Sequence, residues 1–409
     1  MKHFASWLLC LAICFMASAP VVARAEASAA AENPFPLLPG LESAVQFWQR
    51  VFAEHSSSQL IFFDPLDMSR IYEVQNVGEG SRSNQYISGE INRIAAAHGV
   101  APDRVKAQRG IKERTAEGLK RSGKYLAQMQ QVFREQGLPA EIVYLPMVES
   151  SYDINARSNV GAVGMWQFMR GTGRQYNMRV NRHIDERKDP LEASRAAALF
   201  LKQAYQSLGS WPLAITSYNF GPAGMARAVA EIGSNDLVTL IQRYNHRYWG
   251  FAPKNFYAEF LAAVEIGKNV DRYFPGLEIA PALELQEVEI KKSTSVAAVA
   301  KSTGLTPRQL LEWNPALNSA VGVVPAGYRV KVPADGAVVA TAATQTAPSR
   351  PQTQVQSKPQ VVRHRVQRGE TLIHIAQRYG ASLERILQAN GLRKTSLLRA
   401  GSTILIPRL

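Results

Sequence analysis

The sequence predicts a multidomain protein, with one large all-α domain followed by two small βααβ modules. Helix-period apolar patterning with little strand signal dominates residues 106–280. A repeat then appears. Gly304 stands ten residues before Asn314 as Gly380 stands ten before Asn390, and Gly327 precedes Pro333 by six as Gly401 precedes Pro407. Between the copies, residues 335–361 are rich in Ala, Thr, Gln and Pro and poor in large apolar residues, which reads as a flexible linker. A length of 409 residues suits two or three domains, and 46% hydrophobic against 20% charged residues excludes a largely disordered chain.

Taken in order, residues 1–25 read as a secretory signal peptide. Lys2 and His3 lead into a mostly apolar run from Ala5 to Val22, closed by the small-x-small site Ala23-Arg24-Ala25. The run is short for a membrane span. Both cysteines, Cys10 and Cys14, lie in this leader. The exported chain therefore has no thiol nucleophile, disulfide or thiolate zinc site. Leu9 and Ile13 precede the two cysteines where a lipobox requires Gly or Ala, so a lipid anchor and membrane association are not supported. The net charge is +14, of which the leader's Lys2 and Arg24 contribute two. That excess suits an anionic polymer, and for an exported protein the cell wall fits better than nucleic acid.

Residues 26–105 form an N-terminal helical and extended region, with a helix over Leu41–Phe52. The domain over 106–280 should open with one long amphipathic helix from Ile111 to Phe133, whose apolar face carries Leu119, Leu126, Met129 and Phe133. Asp189-Pro190-Leu191-Glu192 reads as a helix start, with Asp as N-cap and Pro at the first position, and the helix buries Ala197, Phe200, Leu201 and Ala204.

The chemistry concentrates after Glu141. An apolar run (Ile142, Val143, Leu145, Met147, Val148) ends in Glu149-Ser150-Ser151-Tyr152. A carboxyl closing a buried helix is desolvated and holds its proton near neutral pH, as a general acid must. Ala156, Ser158, Gly161, Ala162 and Gly164-Met165-Trp166-Gln167-Phe168-Met169 follow. The glycines let backbone approach a bulky ligand, Ser158 and Gln167 offer polar groups, and Trp166, Phe168 and Met169 offer apolar surface for sugar faces. Ser217-Tyr218-Asn219-Phe220-Gly221 adds a second cluster. No His spacing suits a metal and no Gly-Lys loop suits a phosphate, so neither metal nor cofactor is expected.

The runs from Glu149 and from Ala156 resemble the signature of soluble lytic murein transglycosylases and goose-type lysozymes, and Ser217–Gly221 resembles that family's second signature. The resemblance implies an all-α lysozyme-like catalytic domain. It implies Glu149 as the sole acid and base, with Ser158, Gln167, Met169, Tyr218, Asn219 and, less specifically, Tyr257 lining the sugar site. It also implies cleavage between N-acetylmuramic acid and N-acetylglucosamine to give a 1,6-anhydro end without consuming water. Hydrolysis would need a second carboxylate, for which Asp153, Asp185, Asp189 and Glu192 are nearest in sequence. The alternatives are a hydrolytic muramidase and a non-catalytic wall-binding protein.

The second repeat, 362–409, resembles a LysM module through His364-Arg365-Val366, Gly369-Glu370-Thr371-Leu372, Ile375-Ala376, Tyr379-Gly380, Asn390 and Leu405-Ile406-Pro407. That resemblance implies binding of N-acetylglucosamine-containing glycan. The first, 287–334, is degenerate, with Ser293-Thr294-Ser295-Val296 where the Gly-x-Thr-Leu turn belongs. Peptidoglycan glycan strands are the partner implied, in the periplasm or at the wall.

Overall fold

The computed structural model describes residues 33–80, 82–334, 361–366, 372–379, 383–392 and 401–407; the expected leader and nearly all of the expected linker lie outside them. The chain divides into two units, Met1–Ala343 and Thr344–Leu409.

The first unit begins with α1 (Glu42–Ala53), whose Val45, Trp48, Val51 and Phe52 face inward at helical spacing. Strands β1 (Gln59–Asp64) and β2 (Asp67–Asn76) follow, then α2 (Asn84–Ala97) and β3 (Lys106–Arg109). They form an antiparallel sheet in the order β2-β1-β3. The central strand alternates. Ile61 and Phe63 enter the main core, while Leu60 and Phe62 join Val77, Ile94 and Val105 in a smaller core under α2. The boundary expected at residue 105 is crossed by this sheet, because β3 pairs with β1. It is crossed again by α1, whose Trp48 donates its indole N–H to Asn255 far along the chain (3.4 Å).

The single helix expected over Ile111–Phe133 is two, α3 (Lys112–Ser122) and α4 (Leu126–Glu135). The break sits at Gly123, where a Cβ would lie 2.1 Å from the Ala280 carbonyl. The returning chain crosses there, with Ala280 and Leu283 N–H donating to Lys120 and Lys124 carbonyls. A 3-10 turn (Ala140–Tyr144) leads into α5 (Leu145–Ser150), and an irregular loop then reaches α6 (Arg170–Gln175). The long α7 (Pro190–Leu208) starts as its sequence says, with the Asp189 carboxylate accepting from Leu191 and Glu192 N–H (3.0 and 3.2 Å). It buries Ala197, Phe200, Leu201 and Ala204. Next come α8 (Trp211–Phe220), α9 (Pro222–Ile232), α10 (Leu237–Arg243), α11 (Phe251–Lys268) and α12 (Val270–Tyr273). In α8, Leu213, Ala214 and Ile215 are wholly buried, so this helix runs through the core against α7, α9 and α11.

The first repeat completes this unit: β4 (Leu285–Glu289), β5 (Thr294–Ser295), α13 (Val296–Ser302), α14 (Pro307–Trp313), β6 (Val323–Val324) and β7 (Arg329–Pro333). β4 pairs with β7 and β5 with β6. It is docked on the helical body. Ile184 of the helical domain is part of its core, alongside Val299, Leu310 and Val330. Asp185 N–H donates to the Ala316 carbonyl, Asn318 N–H to the His183 carbonyl and the Asn318 amide to the Arg182 carbonyl. Lys331, 4% exposed, pairs with the Asp189 carboxylate, 1% exposed.

In the second unit, β8 (Val361–Arg365), α15 (Leu372–Tyr379), α16 (Leu383–Asn390) and β9 (Thr403–Pro407) give a two-stranded sheet and two helices around Ile375, Ile386 and Ile406. Gly369-Glu370-Thr371 and Gly380 of the sequence pattern lie outside the described residues. The recurring Asn has a structural explanation. Asn390 donates to the Ile386 and Leu405 carbonyls and accepts from Leu405 N–H, all at 2.7 Å. Asn314 makes the same three bonds to Leu310 and Lys331 in the first repeat. Each latches a helix end to the last strand of its module.

Candidate active site

Glu149 is the penultimate residue of α5, a helix of only six residues. Its stop is abrupt, because Ser151 and Tyr152 both take left-handed backbone (φ 52° and 57°). Non-glycine residues pay for that conformation, about 1 kcal/mol or more each, and the surroundings hold them there. The Tyr152 side chain is buried and its hydroxyl donates to the Val143 carbonyl (3.0 Å). Arg121 donates to the Ser151 carbonyl (2.7 Å). Gly118 of α3 lies so close that a Cβ would sit 2.7 Å from that same carbonyl. The Ser150 hydroxyl donates to the Met165 carbonyl (2.8 Å), tying this helix to the loop beyond. The Ser-Ser-Tyr part of the motif thus positions the glutamate.

The loop between α5 and α6 is cross-braced. Ser158 N–H donates to the Ala162 carbonyl and the Ser158 hydroxyl accepts from Ala162 N–H (both 3.0 Å), which leaves the hydroxyl proton to give. Gln167 turns in left-handed backbone (φ 50°) and its amide nitrogen donates to the Gly164 carbonyl (2.7 Å), while its amide oxygen has no partner among the described residues. Gly164 (φ +83°) is obligatory, because a Cβ would stand 1.7 Å from the Arg187 carbonyl. Arg187, paired with Asp185, donates to the Gly161 and Phe168 carbonyls (3.2 Å each) and so holds both ends of the tight turn.

Of the three residues expected to offer apolar surface, Met169 alone does, at 43% exposed. Trp166 and Phe168 are buried, Trp166 donating to the Ser194 hydroxyl (3.0 Å), so they support the loop from beneath. Tyr218, near the end of α8, packs on Phe168 and Phe200 and donates to the Trp166 carbonyl (2.8 Å). Its pKa is raised by burial and then by the charge of Glu149, which faces it. Asn219, next along the helix, is exposed. Tyr257 goes elsewhere. It is wholly buried on α11 and its hydroxyl donates to the Pro36 carbonyl (2.9 Å), a fastening of the N-terminal segment rather than a group presented to a ligand.

Glu149 is only partly covered, so a ligand can reach it. Desolvation nevertheless pushes its carboxyl from 4.5 up to about 8, the direction expected of a carboxyl in apolar surroundings without a cationic partner. A second acid was not anticipated. Glu259 of α11 is the one partly exposed residue in an otherwise buried run from Asn255 to Ala263. Its carboxyl is also pushed up to about 8, by burial first and by the charge of Glu149 second. Neither carboxyl has a hydrogen-bond or ion-pair partner among the described residues. α11 packs directly on α5, which brings the two together. The sequence signal for Glu259 was a lone acid inside Phe256-Tyr257-Ala258-Glu259-Phe260-Leu261, a charge on a face that is otherwise core. The four acids that the sequence offered as a second carboxylate have local duties instead. Asp153 accepts from Asn155 N–H, Asp185 pairs with Arg187, Asp189 caps α7 and holds Lys331, and Glu192 pairs with Arg195. Among the described residues no cluster of His, Asp and Glu is arranged to hold a metal ion.

A partly open carboxyl that keeps its proton at neutral pH is in the state a general acid needs. Residues 128–240 match the family model of the transglycosylase SLT domain, and residues 364–407 match that of the LysM domain. The chain is similar to membrane-bound lytic murein transglycosylase D of Escherichia coli, at 29% identity over 293 residues, spanning 67% of this chain and 61% of that protein. The chain thus covers somewhat under two thirds of the length of that relative. Among solved structures it is similar to an inactive mutant of the lytic transglycosylase Slt from Pseudomonas aeruginosa (20% identity, 37% of this chain and 25% of that one, TM-score 0.30). It is also similar to the 70 kDa soluble lytic transglycosylase of Escherichia coli (20% identity, 36% and 24%, TM-score 0.29).

Proposed function

We propose that the protein is an exported lytic transglycosylase that cuts peptidoglycan glycan strands between N-acetylmuramic acid and N-acetylglucosamine. The observation that carries this reading is Glu149 itself, an uncompensated, reachable carboxyl protonated at neutral pH inside the SLT match. Glu149 gives its proton to the glycosidic oxygen, and N-acetylglucosamine leaves as an alcohol. The carboxylate so formed takes the proton of the C6 hydroxyl, whose oxygen bonds to C1 and closes the 1,6-anhydro ring. Ser158, Gln167, Met169, Tyr218 and Asn219 line the sugar site, and the C-terminal LysM domain holds N-acetylglucosamine-containing glycan. The basic surplus favours the anionic wall, and the leader directs the chain to the periplasm.

One observation favours a second reading, hydrolysis. Glu259 places a second carboxyl beside Glu149, and hydrolysis would run only in the fraction where that carboxyl has lost its proton and can activate water. Mass spectrometry of muropeptides released from purified peptidoglycan, without chemical reduction, separates the two. Products one water lighter than reducing-end muropeptides establish the anhydro chemistry; reducing ends make the enzyme a muramidase. Glu149→Gln should release neither while still binding the wall, and release at near wild-type rate would sink both readings.

A further inference from the structure

Residues 179–186 form a short hairpin that touches both the catalytic loop and the first repeat. Val180 and Asp185 pair as an antiparallel bridge, and the Glu186 carboxylate accepts the Arg179 backbone N–H and its guanidinium (2.6 Å each). The tip belongs to the repeat. Ile184, 2% exposed, sits in the repeat's core and bridges to Leu317. Asn318 spans the tip, its backbone N–H and its side-chain amide donating to the His183 and Arg182 carbonyls (2.9 and 2.8 Å). The Arg179 guanidinium lies over the Tyr328 ring (5.3 Å to its centre) and donates to the Gly327 carbonyl (3.1 Å).

The base of the hairpin belongs to the active site, and Asp185 marks the changeover. Its N–H donates to the Ala316 carbonyl of the repeat (2.8 Å). Its carboxylate takes Nε and Nη2 of Arg187 (2.9 and 2.8 Å), which leaves Nη1 aimed at the Gly161 and Phe168 carbonyls of the catalytic loop. From α6, Arg174 donates to the Val180 carbonyl (3.0 Å). The loop so gripped carries Ser158 and Gln167, and the Ser150 hydroxyl bonds its Met165 carbonyl next to Glu149. A buried ion pair is a poor source of stability, since apolar side chains of similar volume often replace it without loss. A guanidinium fork held by a bidentate carboxylate supplies direction instead, because its remaining nitrogen points one way only.

We propose that Asp185 is a positioning residue of the active site, and that through it the docked first repeat serves as the fixed support that sets the 156–168 loop beside Glu149. The consequence for reaction rate rests on the glycan-cleaving reading; the consequence for the loop does not.

Hydrogen-exchange mass spectrometry of the full-length protein tests the link without any cleavage. Asp185→Asn keeps the size and the capping oxygen and removes the charge that orients Arg187. Amides of residues 156–168 should then exchange about tenfold faster, the scale of one charge-assisted pair, with α7 and α8 unchanged. Asn318→Ala, on the repeat, should speed the same amides, and Asp185→Glu, which keeps the charge, should return them toward the wild-type rate. Faster exchange confined to 179–187, or spread equally over α7 and α8, overturns the assignment, as does a loop that Asn318→Ala leaves at the wild-type rate. In the muropeptide assay Asp185→Asn should release product about tenfold more slowly while sedimenting with the wall as wild type does. Undiminished release from a loosened loop would refute the positioning role. Wild-type protein that releases nothing would refute the glycan-cleaving reading and leave the exchange rates to decide this one.

Discussion

Replacing Glu149 by glutamine should stabilise the protein as it abolishes activity, and the gain should depend on pH in a way the structure fixes in advance. The folded carboxyl titrates at about 8 against an ordinary 4.5. A carboxyl with a raised folded pKa contributes stability that is fully present below the unfolded value. That contribution is lost as pH climbs through the folded one, because the unfolded chain sheds the proton first. Integrated from pH 4.5 to pH 7, the wild-type protein loses about 3 kcal/mol at this one residue. Glutamine has nearly the same shape and no proton to lose. The variant should therefore match wild type near pH 4 and exceed it by about 3 kcal/mol at pH 7. Glu259 adds to the alkaline end, since part of its upward push comes from the Glu149 charge that the variant lacks. Urea unfolding followed by tryptophan fluorescence at about pH 4, 7 and 8.5 measures the difference. Parallel stabilities across the range would falsify the claim that the folded protein holds Glu149 protonated, and with it the argument for the acid role. The same carboxyl puts the alkaline limb of the activity profile near pH 8.

Two further outcomes follow from packing. Gly164→Ala forces a Cβ against the Arg187 carbonyl in a backbone region closed to alanine, so muropeptide release should fall at least tenfold while circular dichroism keeps its helical signal; undiminished release would show that the 156–168 loop need not be held. Asn390→Ala removes three hydrogen bonds at once. At about 1 kcal/mol each, the loss should unfold the small C-terminal module, read as lost sedimentation with N-acetylglucosamine polymer at unchanged melting of the helical domain.

Much of this was legible in the residues, and the exceptions share a cause. Asp189-Pro190 announced α7 because capping is local chemistry, and the paired Gly and Asn spacings gave the repeats because their latch recurs in both copies. The break at Gly123 could not be read locally, since the intruding carbonyl belongs to Ala280, far away in sequence. Trp166 and Phe168 were credited with facing sugar because their type suits it; the turn held by Arg187 sends them inward and leaves Met169 out. Sequence proximity points to acids such as Asp153, whereas Glu259 arrives on a helix more than a hundred residues after Glu149. Tyr257 sits next but one to Glu259 on that helix, yet its hydroxyl is fastened to Pro36.

The docked first repeat changes what counts as a removable part. A duplicated module invites treatment as a cassette, to be deleted or exchanged while the enzyme carries on. Here a cut after residue 286 would leave Ile184 without the core it completes and the Asp189 carboxylate without its lysine. It would also free the 181–185 strap, which leads into Arg187 and the turn that Arg187 holds. The two copies share an ancestry of pattern and differ in office. The first belongs to the machine's frame, and a fragment that keeps the helical body's contacts intact extends to Pro333.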